Sequence, residues 1–302
     1  MKRHVVAPVV LLLATTLSAC AVGSDAGSAS GKPTVIASFY PLQFVAERIV
    51  GSYAAVTNLT APGVEPHDLE LSPRQAARVS SAAVVLYEKG LQPAVDEAVA
   101  NDGPEAIVNA ASVVSLQSGA EGAEEGEEGG LDPHFWQDPT LLAEVADAFT
   151  AKMAKVDPDH SSQFTANNAT LQDDLAALDQ DIKSGLFSCT TRSLVVSHDA
   201  FEYLGRRYDL TVHPIAGLSP DAEPSARHLE ELSDLITSEK ITTVFNERLA
   251  SPKLADALAS DLGIATEVLD PIEGLTKDDP DADYLSIMRE NLEAIQKADS
   301  CT

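Results

Sequence analysis

The 302-residue chain carries 47 acidic against 20 basic residues, a formal net charge of −27. That balance excludes attraction to phosphate as a main source of affinity, so neither nucleic acid nor an anionic membrane surface is an expected partner. Most of the acidity is read as solvated surface.

The first residues read as a targeting segment rather than as part of the fold. Lys2 and Arg3 precede an apolar run from Val5 to Leu17, and Leu17-Ser18-Ala19-Cys20 then sets small residues before a cysteine, similar to the bacterial lipobox. The run is shorter than the roughly 20 apolar residues a spanning helix needs. Residues 1–19 are therefore expected to be a signal peptide and Cys20 the lipidated first residue of the mature chain. The membrane is then reached through that lipid alone. Loss of Lys2 and Arg3 leaves 18 basic against 47 acidic residues, or −29. Residues 20–32, rich in Gly, Ser and Ala, lack an apolar pattern and read as a flexible tether.

Beyond the tether, β-branched runs alternate with helical patterns, which predicts an α/β fold with parallel sheets. Four candidate strands occupy the first half: 34–38, 55–61, 82–88 and 106–110. Four more occupy the second: 192–197, 210–216, 241–247 and 264–270. Four and four point to two similar lobes, 33–157 and 188–302. Between them, Pro139 suits a first helical position, followed by Leu142, Val145, Ala146 and Phe149 at helical spacing. Asp157-Pro158 ends that helix and starts a linking helix over 158–187. Neither Gly nor Pro interrupts 159–184, so that helix is expected to be about 40 Å long, enough to act as a strut between lobes.

One segment breaks the pattern. Residues 118–130, SGAEGAEEGEEGG, hold five glutamates among glycines and cannot build a core. They read as a solvated insertion loop; the alternative is a weak cation-gathering flap, although the segment contains no histidine. The remaining cysteines, Cys189 and Cys301, are isolated and lack CxxC spacing. In an exported protein they are expected to form a disulfide.

Three histidines stand in turn-like settings after candidate strands: His67 in GVEPHDLE, His134 in LDPHFWQDP and His198 in VVSHDAF. Segments just past the carboxyl ends of parallel strands converge on one crevice, so three imidazoles are placed to share one zinc ion. A fourth ligand is expected from the remaining strand ends, where Glu247 and Asp270 both lie. Asp270, beside a rigid proline turn, is favoured as the ligand. Glu247 suits an acceptor that fixes a ligand imidazole, or a carboxylate at a helix N-terminus. His160 and His228 fall near helix starts, and His213 lies inside a strand pattern.

Several stretches together resemble a known family: VIASFYPLQFVAERIVG (35–51), GVEPHDLELSPRQ (63–75), DPHFWQDP (132–139), SHDAFEYLGRRYDL (197–210), GLSPDAEPS (217–225), TTVFNERLASPKLADALASDLG (242–263) and VLDPIEGL (268–275). They resemble the ZnuA-like zinc-binding receptors, lipoproteins and periplasmic proteins that serve bacterial ABC importers. The resemblance covers nearly all of 33–302. It implies two four-stranded β/α lobes joined by one long rigid helix, with metal in the interlobe cleft. Matching motifs carry over His67, His134, His198 and Asp270 as ligands of a transported Zn²⁺. It also implies a monomeric, non-catalytic receptor outside the cytoplasmic membrane, working with a permease and its ATPase subunits. Related manganese proteins usually place a glutamate at the third ligand position, so His198 favours zinc over manganese or iron. The competing class, a zinc hydrolase, lacks support: no HExxH motif is present and no general base is poised for a metal-bound water. An adhesin-like surface role is compatible with the tether, but no motif specifies it.

Overall fold

The computed structural model describes residues 31–119, 130–277 and 282–301. The signal segment, Cys20, most of the tether and residues 120–129 of the acidic segment lie outside the described residues.

Two four-stranded, all-parallel sheets are built the same way. In the first, β1 (Thr34–Ala37), α1 (Tyr40–Val50), β2 (Ala55–Asn58), α2 (Pro73–Ser80), β3 (Val84–Tyr87), α3 (Pro93–Asp102) and β4 (Ile107–Asn109) follow in turn, with strand order β2-β1-β3-β4. A two-stranded antiparallel ribbon, β5 (Gln117–Ser118) and β6 (Leu131–Asp132), then flanks the acidic segment. After α4 (Pro139–Val156) and α5 (Ser161–Gly185) come β7 (Ser193–Val196), α6 (Glu202–Tyr208), β8 (Thr211–Pro214), α7 (Ala226–Glu239), β9 (Thr243–Asn246), α8 (Lys253–Leu262) and β10 (Ala265–Val268). The second sheet is ordered β10-β9-β7-β8, and α9 (Tyr284–Ala298) closes the chain. All eight expected strands are present, each shorter at its ends than the hydrophobic run that announced it. The β5–β6 ribbon was not expected, because two residues per strand leave no alternation to read.

Strand periodicity divides the core. Val35, Ala37, Val84 and Leu86 join Leu194, Val196 and Phe245 in one continuous cluster with α1, α4, α5, α6 and α9. The alternate residues, Ile36 and Val85 in one sheet and Val195 and Val244 in the other, face separate outer layers of α2–α3 and α7–α8. In each sheet the first helix therefore covers the inner face and the next two the outer face. The chain reverses its winding between β1 and β3 and again between β7 and β9, which opens a crevice at those carboxyl ends.

The long helix expected over 158–187 is present as α5, Ser161–Gly185, preceded by a 3₁₀ turn at Pro158–His160. At 25 residues α5 is about 37 Å long. Phe164, Leu171, Leu175, Leu178 and Ile182 form its buried stripe. Near its start Asn167 donates to the Ile49 carbonyl of α1 (2.9 Å), and Gln172 to the Ala143 carbonyl of α4 (2.8 Å). At its end the Gly185 carbonyl accepts from Gln296 of α9 (3.0 Å). Pro139 occupies the first turn of α4, whose cap Asp138 accepts from Thr140 N (2.8 Å). Cys189 and Cys301 are joined as a disulfide. No helix among the described residues is long and apolar enough to cross a membrane.

Candidate metal centre

His67 sits in the loop after β2. The Pro62-Gly63 turn, with Gly63 at φ 80°, redirects this loop, and Gly63 N donates to the Leu275 carbonyl of the second half (2.7 Å). Gln92 holds it from below, donating to Thr60 Oγ1 (2.9 Å) and the Pro66 carbonyl (3.3 Å). His198 lies two residues beyond β7, at the reversal point of the second sheet. His134 does not directly follow β4, as its sequence position suggested. The chain first runs through the β5–β6 ribbon, and His134 then opens the 3₁₀ turn Phe135–Gln137.

The three imidazoles meet around one carboxylate, and that carboxylate is Glu273. Its Oε1 lies 3.3 Å from His67 Nε2, 3.1 Å from His134 Nε2 and 3.2 Å from His198 Nε2. The four ligand atoms all fall within 4.8 Å of one another. Asp270, expected as the fourth donor, is not among them. One of its oxygens accepts from Ile272 N (2.8 Å), and the other faces Arg248 Nε (3.2 Å). The segment after β10 turns Asp270 away from the imidazoles and brings in the carboxylate three residues later. Sequence reading missed Glu273 because it follows no strand end directly; its only signal was a place in the VLDPIEGL motif.

The far side of two rings is also held. His134 Nδ1 lies 2.8 Å from Asp132 Oδ1, which also accepts from His134 N (2.9 Å). His198 Nδ1 lies 2.7 Å from Glu247 Oε1, just past β9 and so across the same reversal point. A carboxylate at Nδ1 keeps the proton there and leaves Nε2 as the lone-pair nitrogen of a neutral ring. Glu65 Oε1 accepts from His67 N (3.0 Å).

These bonds aim acceptor atoms at a single point. Neutral imidazole nitrogens facing a carboxylate oxygen repel unless a proton or a cation lies between them. Without a cation there, the surrounding carboxylates favour the protonated forms of His134 and His198. Burial alone would lower the His134 pKa, but its hydrogen bonds to Asp132 and Glu273 raise it to about 9. For His198 burial is likewise outweighed, by Glu247 and Glu273, and the pKa stands well above the ordinary value. Burial favours the neutral form of Glu273, yet the surrounding imidazoles hold its pKa well below the usual carboxylate range. Glu65 is pushed up to about 8 by burial and then by the charge of Glu273.

A zinc ion fits the same geometry. Ligand bonds of about 2.0 Å in a tetrahedron place neighbouring donor atoms about 3.3 Å apart. The three Nε2–Oε1 edges of 3.1–3.3 Å already match that spacing. Three imidazoles and one carboxylate also suit zinc better than manganese, which favours oxygen-rich sets. His134, His198 and Glu273 are fully or almost fully buried, whereas the His67 side chain keeps 12% exposure. A cavity of about 610 Å³, lined in part by Lys89, Leu116, Leu131 and Leu218, reaches the site at His67. The His67 side is therefore the more exposed face of the cluster.

The family model of the zinc-uptake complex component A, periplasmic (ZnuA), matches residues 35–298. The chain belongs to this ZnuA family. The high-affinity zinc uptake system protein ZnuA of Bacillus subtilis is 33% identical over 296 residues, covering 93% of this chain and 92% of the relative. The zinc-binding lipoprotein AdcA of Streptococcus pneumoniae is 33% identical over 298 residues, but this chain spans only 59% of that longer protein. The Zn(II)-bound ZnuA-like domain of the same AdcA superposes with a TM-score of 0.76 at 30% identity, covering 89% of this chain and 99% of the domain. In the ZnuA family context, two similar sheets with a metal-ready cluster between them are the expected architecture. Among the described residues, the other three histidines lie outside the cluster. His160 Nδ1 is 2.7 Å from Asp157 Oδ2, His228 Nε2 is 2.9 Å from the Pro214 carbonyl, and His213 is half-buried in β8.

Proposed function

We propose that this protein is a high-affinity extracytoplasmic zinc receptor that captures Zn²⁺ and delivers it to an ABC importer. The observation that carries the reading is the convergence of four acceptor atoms, from His67, His134, His198 and Glu273, within 4.8 Å of one another, with Glu273 Oε1 3.1–3.3 Å from each imidazole Nε2. These four residues hold the ion; Asp132 and Glu247 orient two of the imidazoles. Four protein donors close the coordination shell and leave no open position for a reactive water, which suits carriage rather than catalysis. The cargo leaves by the His67 side, to a permease powered by ATPase subunits. Residues 33–157 and 188–302 act as the two lobes, with 158–187 as the strut. A lipid on Cys20 tethers the monomer to the outer face of the cytoplasmic membrane, in keeping with the relatives named as lipoproteins.

Competitive titration of the chelator-stripped mature protein tests this reading. Zinc is expected to bind far more tightly than manganese. His67→Ala, His134→Ala, His198→Ala and Glu273→Gln are each expected to weaken zinc binding sharply. Unchanged zinc affinity across the four variants, or a preference for manganese, would overturn it.

A further inference from the structure

The segment that leads to Glu273 is bound at each backbone group from Asp270 N to Ile272 N. Asp270 N donates to Asn291 Oδ1 (2.8 Å), and the Asp270 carbonyl accepts from Asn291 Nδ2 (2.7 Å). The Pro271 carbonyl accepts from Trp136 Nε1 (2.7 Å) and Gln137 Nε2 (2.5 Å), while Tyr284 OH steadies the Trp136 carbonyl (2.6 Å). Ile272 N donates to Asp270 Oδ1 (2.8 Å). Asn291 and Arg248 thus grip the segment from the second half of the chain, and Trp136 and Gln137 from the stretch that carries His134.

This bracing surrounds a strained residue. Ile272 has φ 61° and is completely buried. Asp209 and Lys240, also at positive φ, are polar residues ending helices, where a left-handed turn is common. A β-branched side chain in that region is a genuine outlier and persists only where its surroundings over-determine it. The left-handed turn at Ile272 reverses the chain just before Glu273 and aims that side chain back at the imidazoles.

We infer that Asp270 is a positioning residue, whose carboxylate pins the strained turn at Ile272 and thereby places the metal-binding oxygen of Glu273. The inference rests on Glu273 being a zinc donor. Asp270 acts through two oxygens: Oδ1 fixes Ile272 N, and Oδ2 is itself fixed by Arg248, which also pairs with Glu290. Without that acceptor Ile272 N is buried and unsatisfied, and nothing local holds φ positive. The turn then relaxes and Glu273 leaves the imidazoles.

The test uses the full mature chain, stripped of metal, with zinc affinity read by chelator competition and coordination read by the visible spectrum of bound Co²⁺. Asp270→Ala is expected to weaken zinc by about 10–100-fold, the range for groups that orient metal ligands. Asp270→Asn keeps an oxygen for Ile272 N and is expected to stay within about threefold of wild type, with an unchanged Co²⁺ spectrum. In a Glu273→Gln background, Asp270→Ala is expected to add less than about threefold, because its effect runs through a donor already lost. A loss in Asp270→Asn as large as in Asp270→Ala, with an altered Co²⁺ spectrum, would make Asp270 a direct donor and overturn the inference. Equal losses in both backgrounds would overturn it as well. Should Asp270→Ala fail to fold, the isosteric Asp270→Asn still decides between the two roles. Wild-type affinity in Glu273→Gln alone would instead refute Glu273 as a donor, a separate failure.

Discussion

Replacing both Cys189 and Cys301 by serine is expected to lower stability with little effect on metal binding. The bond links residues 112 apart in sequence, so its loss frees a long loop in the unfolded chain. On the loop-entropy account that closure is worth about 4.8 kcal/mol at 25 °C. Unfolding entropy of about 2.1 cal/mol/K per residue, over the roughly 270 residues of the folded body, converts this to a Tm fall of about 8 °C. The native junction should survive the change. Thr190 N and Thr191 N still donate to the Asp299 carbonyl (3.1 and 3.3 Å), and Gln296 still holds Gly185 (3.0 Å). Differential scanning calorimetry of the metal-free proteins measures the shift, and zinc competition checks the site. A Tm change below about 2 °C would refute the unfolded-state argument. A marked loss of zinc affinity would show that the crosslink holds α9, and with it Asn291, in the folded state.

Asp132→Asn and Glu247→Gln keep the shape of the groups behind His134 and His198 but can present an amide donor to Nδ1 and so favour the wrong tautomer. Each is expected to weaken zinc by about 10–100-fold, and wild-type affinity in both would show that the paired carboxylates do not orient the ligands. Asp299 supplies a pH-dependent test remote from the metal centre. Burial raises its pKa to about 7, against the opposing pull of Arg192, and among the described residues its Oδ2 has no hydrogen-bond partner. Below the unfolded pKa, near 4, both states are protonated and the residue costs nothing; as pH rises towards 7 the unfolded chain ionises freely and stability is lost. Asp299→Asn should therefore stabilise the protein in urea denaturation at pH 8 and do little at pH 4; an equal gain at both would refute the assignment.

The architecture was legible in the chain because each level of the pattern agreed with the next. β-branched runs such as SLVV at 193–196 announced strands. Pro139 and Asp157-Pro158 bracketed α4, and the apolar spacing from Phe164 to Ile182 described the buried stripe of α5. His67, His134 and His198 stood out because each occupies a turn near a strand end. Glu247 was recognisable too, since it follows β9 at the same end of the sheet as His198.

Choosing between Asp270 and Glu273 needed three dimensions. Both are carboxylates in one short loop, and Asp270 is nearer the strand end and the proline, so local reasoning favours it. Which of them faces the imidazoles depends on a left-handed turn at Ile272, and no propensity predicts that conformation for a β-branched residue. Contacts from Trp136, Gln137, Arg248 and Asn291, all distant in sequence, hold Asp270 and Pro271, and Asp270 Oδ1 accepts from Ile272 N within that turn. The two parallel sheets, the long helix between them and the placement of three imidazoles near strand ends were readable in the chain, because hydrophobic period and chain punctuation act locally. Which carboxylate meets the imidazoles depends on side chains that come together only after folding, because they set the direction of that loop.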